Sequence, residues 1–244
     1  MHGGTSTGLA GAVRYDLKRL HESWMELFFP RQRGTESSVL GKWRPSSTTG
    51  KVAYRAWSAV GAPVIALLYP FALAGFALRY YTRKIDGTAT RIGVVGVVLI
   101  SALAWGGLTA LARVRFSTDG FLAVAAAGSV ATVAAALAHL TGTRGGRAST
   151  VALAYPFAMT ALFLPPVVAA LYSPTLSQTI FPKSYTLAVW ILDNPLDVWN
   201  VNTFIREQFT LEGLGYVGMW FALAVPIGWF VGLLVSLADV VRPQ

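Results

Sequence analysis

Five stretches of this chain pass without an Asp, Glu, Lys or Arg: 56–78, 92–111, 121–140, 151–172 and 216–237. At about 1.5 Å rise per residue each would reach roughly 30 Å as a helix, the thickness of a bilayer's hydrocarbon core. In hydrocarbon every backbone N–H and C=O must be paired within its own segment, so these runs are expected as helices. Charged residues make up only 13% of the chain, against roughly 25% in soluble domains. The expected fold class is all-α: a polytopic transmembrane helical bundle of five long spans, with a broken or re-entrant sixth segment and an N-terminal amphipathic helix. Two regions follow. Residues 1–55 form a polar, basic N-terminal region, and residues 56–240 form the transmembrane helical domain.

The N-terminal helix is expected over 14–29. Leu17, Leu20, Trp24, Leu27 and Phe28 share one stripe at helical spacing, Lys18, Arg19, Glu22 and Glu26 lie opposite, and Pro30 ends the run. Such a helix lies in the membrane interface or packs on a soluble partner or on the protein's own loops. Residues 1–13 and 31–55 read as a Gly/Ser/Thr-rich start and a basic linker. Ser46 to Lys51 has neither the glycine spacing nor the following hydroxyl of a phosphate-binding loop.

Between the fourth and last runs the pattern changes. Residues 176–192 are apolar only in part and are interrupted by Pro182 and Lys183. They read as a re-entrant or interfacial half-helix, or as a broken sixth span. Behind them stand Asp193, Asn194, Asp197, Asn200 and Asn202, a candidate polar cluster, and then a short amphipathic helix around Phe204 to Phe209. The cluster has the oxygen ligands a hard cation takes, but no EF-hand order. Turn formation and helix capping account for it, and no metal is expected there.

A short repeat links the halves. Leu67–Leu78 and Leu153–Leu164 match at six of twelve positions, with Tyr-Pro-Phe-Ala intact in both. If the copies mark spans one and four, they run in opposite directions, as in an inverted repeat of three spans plus three. The alternative is chance recurrence among Leu/Ala/Phe-rich helices. Tyr69-Pro70, Tyr155-Pro156 and Pro165-Pro166 are candidate hinges or kinks, because each proline removes a helical donor. The third run is unusually rich in small residues from Ala125 to Ala136, which suits a central span approached closely by its neighbours.

Several chemistries lack their groups. The chain has no cysteine and three histidines, His2, His21 and His139, so no thiolate site, paired-histidine haem or Cys nucleophile is expected, and no cofactor. A Ser129–His139 dyad fails on distance: ten residues along one helix is about 15 Å. Net charge is +9, with 15 Arg and 5 Lys. Most of that charge flanks the apolar runs, where it meets lipid headgroups; no nucleic acid is expected, and membrane lipid and a protein partner in a membrane complex are. The long basic tail places the N-terminus in the cytoplasm, although Arg79, Arg83, Lys84 and Arg91 in the first connection argue the opposite.

In outline, an interfacial N-terminal helix, five or six spans and a broken segment before the last one are similar to small permease subunits of exporters. The long polar linker before the first span departs from that plan. The expected function is a non-enzymatic integral protein of the cell membrane, a permease-like subunit or a component of a membrane transport complex. The alternative is an anchor or scaffold recruiting a partner through its N-terminal region. A lipid-modifying enzyme would need Asp193, Asp197, Arg206 and Glu207 to cluster.

Overall fold

A computed structural model describes residues 8–29, 45 and 47–242, without the side chains of 9, 10 and 82–92. The start of the chain, most of the basic linker, His2 and the side chains of Arg83, Lys84 and Arg91 lie outside the described residues. The helices are α1 (Leu9–Glu26), α2 (Thr48–Arg115), α3 (Thr118–Arg144), α4 (Arg147–Tyr172), α5 (Pro174–Asp193), α6 (Val201–Gln208) and α7 (Leu214–Val241). Among the described residues there is no strand. Among the described residues five helical segments are long and apolar enough to cross a membrane: Thr48–Tyr81 and Gly93–Arg115, the two limbs of α2, and then α3, α4 and α7. They contain the five uncharged runs, save Ile92.

The boundaries have local causes. The Ser117 hydroxyl accepts the Gly120 N–H at the start of α3, and the Ser173 hydroxyl accepts from Leu176 at the start of α5, where Pro174 takes the first turn. Residues 79–91, expected as a connection, instead have a helical backbone. No proline interrupts them, and the α2 helix breaks only at Gly93, with φ 66°, a value glycine adopts at little cost.

The chain divides into two compact units, residues 1–82 with 233–244, and residues 83–232. In the first, α1 packs on the first limb of α2. Leu20, Ile65, Ala72 and Val241 form the core, with Leu17, Trp24, Tyr69, Phe76 and Leu237 against it. Trp24 and Trp57 stack at 4.3 Å, and each indole N–H donates to the other's backbone carbonyl, at 3.0 and 3.1 Å. Gly61 makes room: a Cβ there would land on the Trp24 ring. The amphipathic helix is thus covered by the protein's own membrane helix. It begins earlier and ends earlier than its periodicity predicts, leaving Leu27 and Phe28 beyond it and exposed. Trp57→Phe keeps the ring and removes one of the two indole bonds. It should cost about 1 kcal/mol, read as a lowered unfolding midpoint in detergent.

In the second unit α3 sits between two neighbours. On one side Gly128 admits Trp105, and Ser101 and Thr132 share a 2.8 Å hydrogen bond. On the other Ala123 and Ala127 meet Ala169 of α4. Its small residues serve the close packing expected of a central span. Helix α7 runs antiparallel to α4: Gly232 faces Val151 and Tyr155, Gly228 faces Pro156, and Trp220 lies 5.7 Å from Phe163. Helix α5 instead runs with the start of α7, as Phe181 stacks on Tyr216 at 4.5 Å and Ser184 accepts from the Trp220 indole at 2.9 Å.

That geometry bears on five spans against six. Helix α4 ends, and α7 begins, at the same end of the unit, where Ser173, Pro174 and Gly213 line one cleft with Asp119. Residues 173–213 therefore leave and return at one end and add no net crossing. Helix α5 runs unbroken through Pro182; the interruption comes after Asp193. Accessibility reporters at residues 117 and 200 should fall on one side of the membrane and a reporter at residue 145 on the other. A reporter at 200 that shares the side of 145 would contradict this path.

Candidate functional site

The densest set of buried functional groups lies in the first unit. Asp16 stands on the inner stripe of α1, one turn before Leu20 and two before Trp24. Its carboxylate is 2% exposed. Arg242 grips it with both prongs, Nε to Oδ1 at 2.7 Å and an Nη to Oδ2 at 2.8 Å. The Tyr69 side chain lies beside this carboxylate. Beside it Arg79 donates to Asp239 at 2.8 Å and to the carbonyls of Ala238 and Arg242 at 3.2 and 2.9 Å. Both guanidiniums lie near the Phe76 ring, at 5.4 and 5.0 Å from its centroid. The hydrogen bond to Asp16 raises the Arg242 pKa above its ordinary value, so its charge is permanent.

Chemically this is a clasp. Both Asp16 oxygens are engaged by a fixed cation, and three of the acceptors around Arg79 are filled. The arrangement ties the N-terminal helix, the first membrane limb and the C-terminal end together. Sequence periodicity did not single out Asp16, Arg79, Asp239 or Arg242. The available signal was a carboxylate on an otherwise apolar stripe, which demands a cation somewhere in the chain.

The five residues of the polar cluster lie between the end of α5 and the first turn of α6, exposed apart from half-buried Asn202. Asp193 pairs with Arg206 at 2.6 Å, Asn194 donates to the Trp190 carbonyl at 2.8 Å, and Asn202 donates to Asp197 at 2.8 Å. Asn200 takes a left-handed φ of 64° ahead of α6, and Trp199, at φ 48°, is 98% exposed. These bonds close the end of α5 and tie the following turn to α6, and Asn200 makes no side-chain cap bond there. Among the described residues no group of three or more His, Cys, Asp or Glu is placed to hold a metal.

Of the hinge candidates, Tyr69 belongs to the clasp and Pro70 is exposed on an unbroken helix, as is Pro166 in α4; Pro165 beside it is buried. Tyr155-Pro156 accompanies an actual irregularity. The turn before it, Thr150–Ala154, is π-helical, and the Tyr155 N–H donates to Thr150. Pro156 has no N–H for the carbonyl of Ala152, one helical turn back. The Trp229 indole on α7 supplies that donor at 3.1 Å. In hydrocarbon no water could replace it. Trp229→Phe should therefore cost about 2 kcal/mol, more than the same change at an exposed indole in water.

Two clefts occur in the second unit. One, of about 320 Å³, lies between α3, α4 and α7. The other, of about 520 Å³, is the cleft where residues 173–213 leave and return.

Five long apolar helices define this chain as a multi-pass integral membrane protein. Compared with protein families, with curated proteins and with solved structures, it shows no significant match.

Proposed function

We propose that this is a non-enzymatic, permease-like component of a membrane transport complex, held in the cell membrane with the basic linker before Thr48 on the cytoplasmic side. The observation that carries this reading is the clasp. The ionisable groups that α1, the first limb and the C-terminal end bring together are committed to joining helices, with both Asp16 oxygens taken by Arg242. The second limb of α2 adds a surface for other chains. Its apolar window has no buried residue within this chain, and Leu103 and Val114 are 75% and 80% exposed. Nine basic against four acidic residues in positions 1–55 support that side.

The alternative, an anchor that recruits through its N-terminal region, loses α1 as a free arm, because α1 is docked. Recruitment would fall to the linker before Thr48, and deletion of residues 1–50 would abolish it while leaving insertion intact. The transport reading is tested by purification from the native membrane in a mild detergent. A second polypeptide with ATPase activity should accompany the chain. A homogeneous single polypeptide without that activity would sink the reading. A reporter at residue 30 that is accessible only from outside would overturn the orientation.

A further inference from the structure

The cleft between α3, α4 and α7 lies well inside the membrane. Its walls are Val130, Val133, Leu137, Phe157, Leu164 and Phe221. Ser129 is eleven residues from the start of α3 and Leu137 seven from its end, so the α3 wall runs from about 16 Å inside one end to about 10 Å inside the other. A water-soluble ligand would have to cross hydrocarbon to reach this depth. The two hydroxyls at the cleft, Ser129 and Thr160, both donate back to their own helices, to Ala125 and Pro156, each at 2.9 Å. Neither is left asking for a polar partner. The rim is open on the lipid side, since Val133 and Phe221 are 60% and 46% exposed. About 320 Å³ falls at the lower end of the range for small-ligand sites.

From this depth, lining and opening we infer that the cleft is a binding site for one acyl chain of a membrane phospholipid, entering sideways from the bilayer. The inference rests on the membrane spans and not on the transport reading. Burying the chain against Phe157 and Phe221 fills a gap that the helices leave between them. Lipid held there would exchange more slowly than lipid along the open face of Gly93–Arg115.

The test uses the full chain in vesicles of phosphatidylcholine and phosphatidylglycerol containing a phospholipid with a photoreactive group in mid-chain. Labelling should concentrate on the Ser129–Leu137 and Phe157–Leu164 peptides and exceed that at Leu103 and Val114, which report ordinary lipid contact. Val133→Trp and Ser129→Phe place bulk on exposed rim positions and spare the packed core. Each should cut cleft labelling about tenfold and leave the Leu103 and Val114 signal unchanged. Labelling at the cleft no stronger than at Leu103, or unaffected by both substitutions, would overturn the proposal. So would labelling by a photoreactive free fatty acid but not by the phospholipid.

Discussion

Arg242→Ala is expected to destabilise the protein by about 3 kcal/mol, at the low end of the range for removing one partner of a buried ion pair. Asp16 remains buried with its charge, while Arg242 itself is 44% exposed, so water reaches part of the gap and limits the loss. The change should appear as a lowered unfolding midpoint in detergent, and as faster tryptic cutting at Arg14, Lys18 and Arg19 as α1 lifts from the first limb. Replacing both partners by leucine should recover much of the stability, because the uncompensated charge goes with its partner. A single substitution that shifts stability by less than about 0.5 kcal/mol would show that the clasp does not hold α1.

Gly228→Ala is expected to be about as damaging, near 3 kcal/mol, the upper part of the range for overpacking. The new methyl would collide with the backbone of Tyr155 and Pro156. These atoms cannot swing aside as a side chain can. Four residues on, a Cβ at Gly232 would come within 2.9 Å of the Tyr155 ring, so α4 and α7 approach along a Gly-x-x-x-Gly seam. Separating them would also pull Trp229 from the Ala152 carbonyl. Gly106→Ala is the control: nothing lies within 4 Å of its Cβ position, and stability should be unchanged or slightly raised. Equal effects at 228 and 106 would contradict the seam.

The seam shows what was legible and overlooked. Gly228 and Gly232 stand four apart in the last apolar run, a pattern that names a helix-packing face without any structure. Asp16 was half legible: its place on the apolar stripe of α1 required a partner, but nothing local indicated Arg242, 226 residues away. The bond from Trp229 to Ala152 follows the same division. Pro156 announces that one carbonyl has lost its donor, while the residue that replaces the donor depends on which helix lies alongside. The polar residues of 193–202 were expected to form a turn and cap a helix; Asn202 bonds Asp197, Asp193 pairs with Arg206, and Asn200 makes no cap bond.

The sequence by itself determined the solvent and the helical form of the uncharged runs. Long runs without charge can satisfy their backbones in lipid only as helices, and that constraint is local to each run. The tertiary structure alone decided how the runs face one another: that α1 docks on the first limb, that α4 and α7 are antiparallel, and that residues 173–213 return to the end they left. In lipid, apolar side chains gain little by choosing one helix neighbour over another. The choice falls to close glycine contacts and to single polar pairs far apart in the chain, which periodicity within a helix does not record.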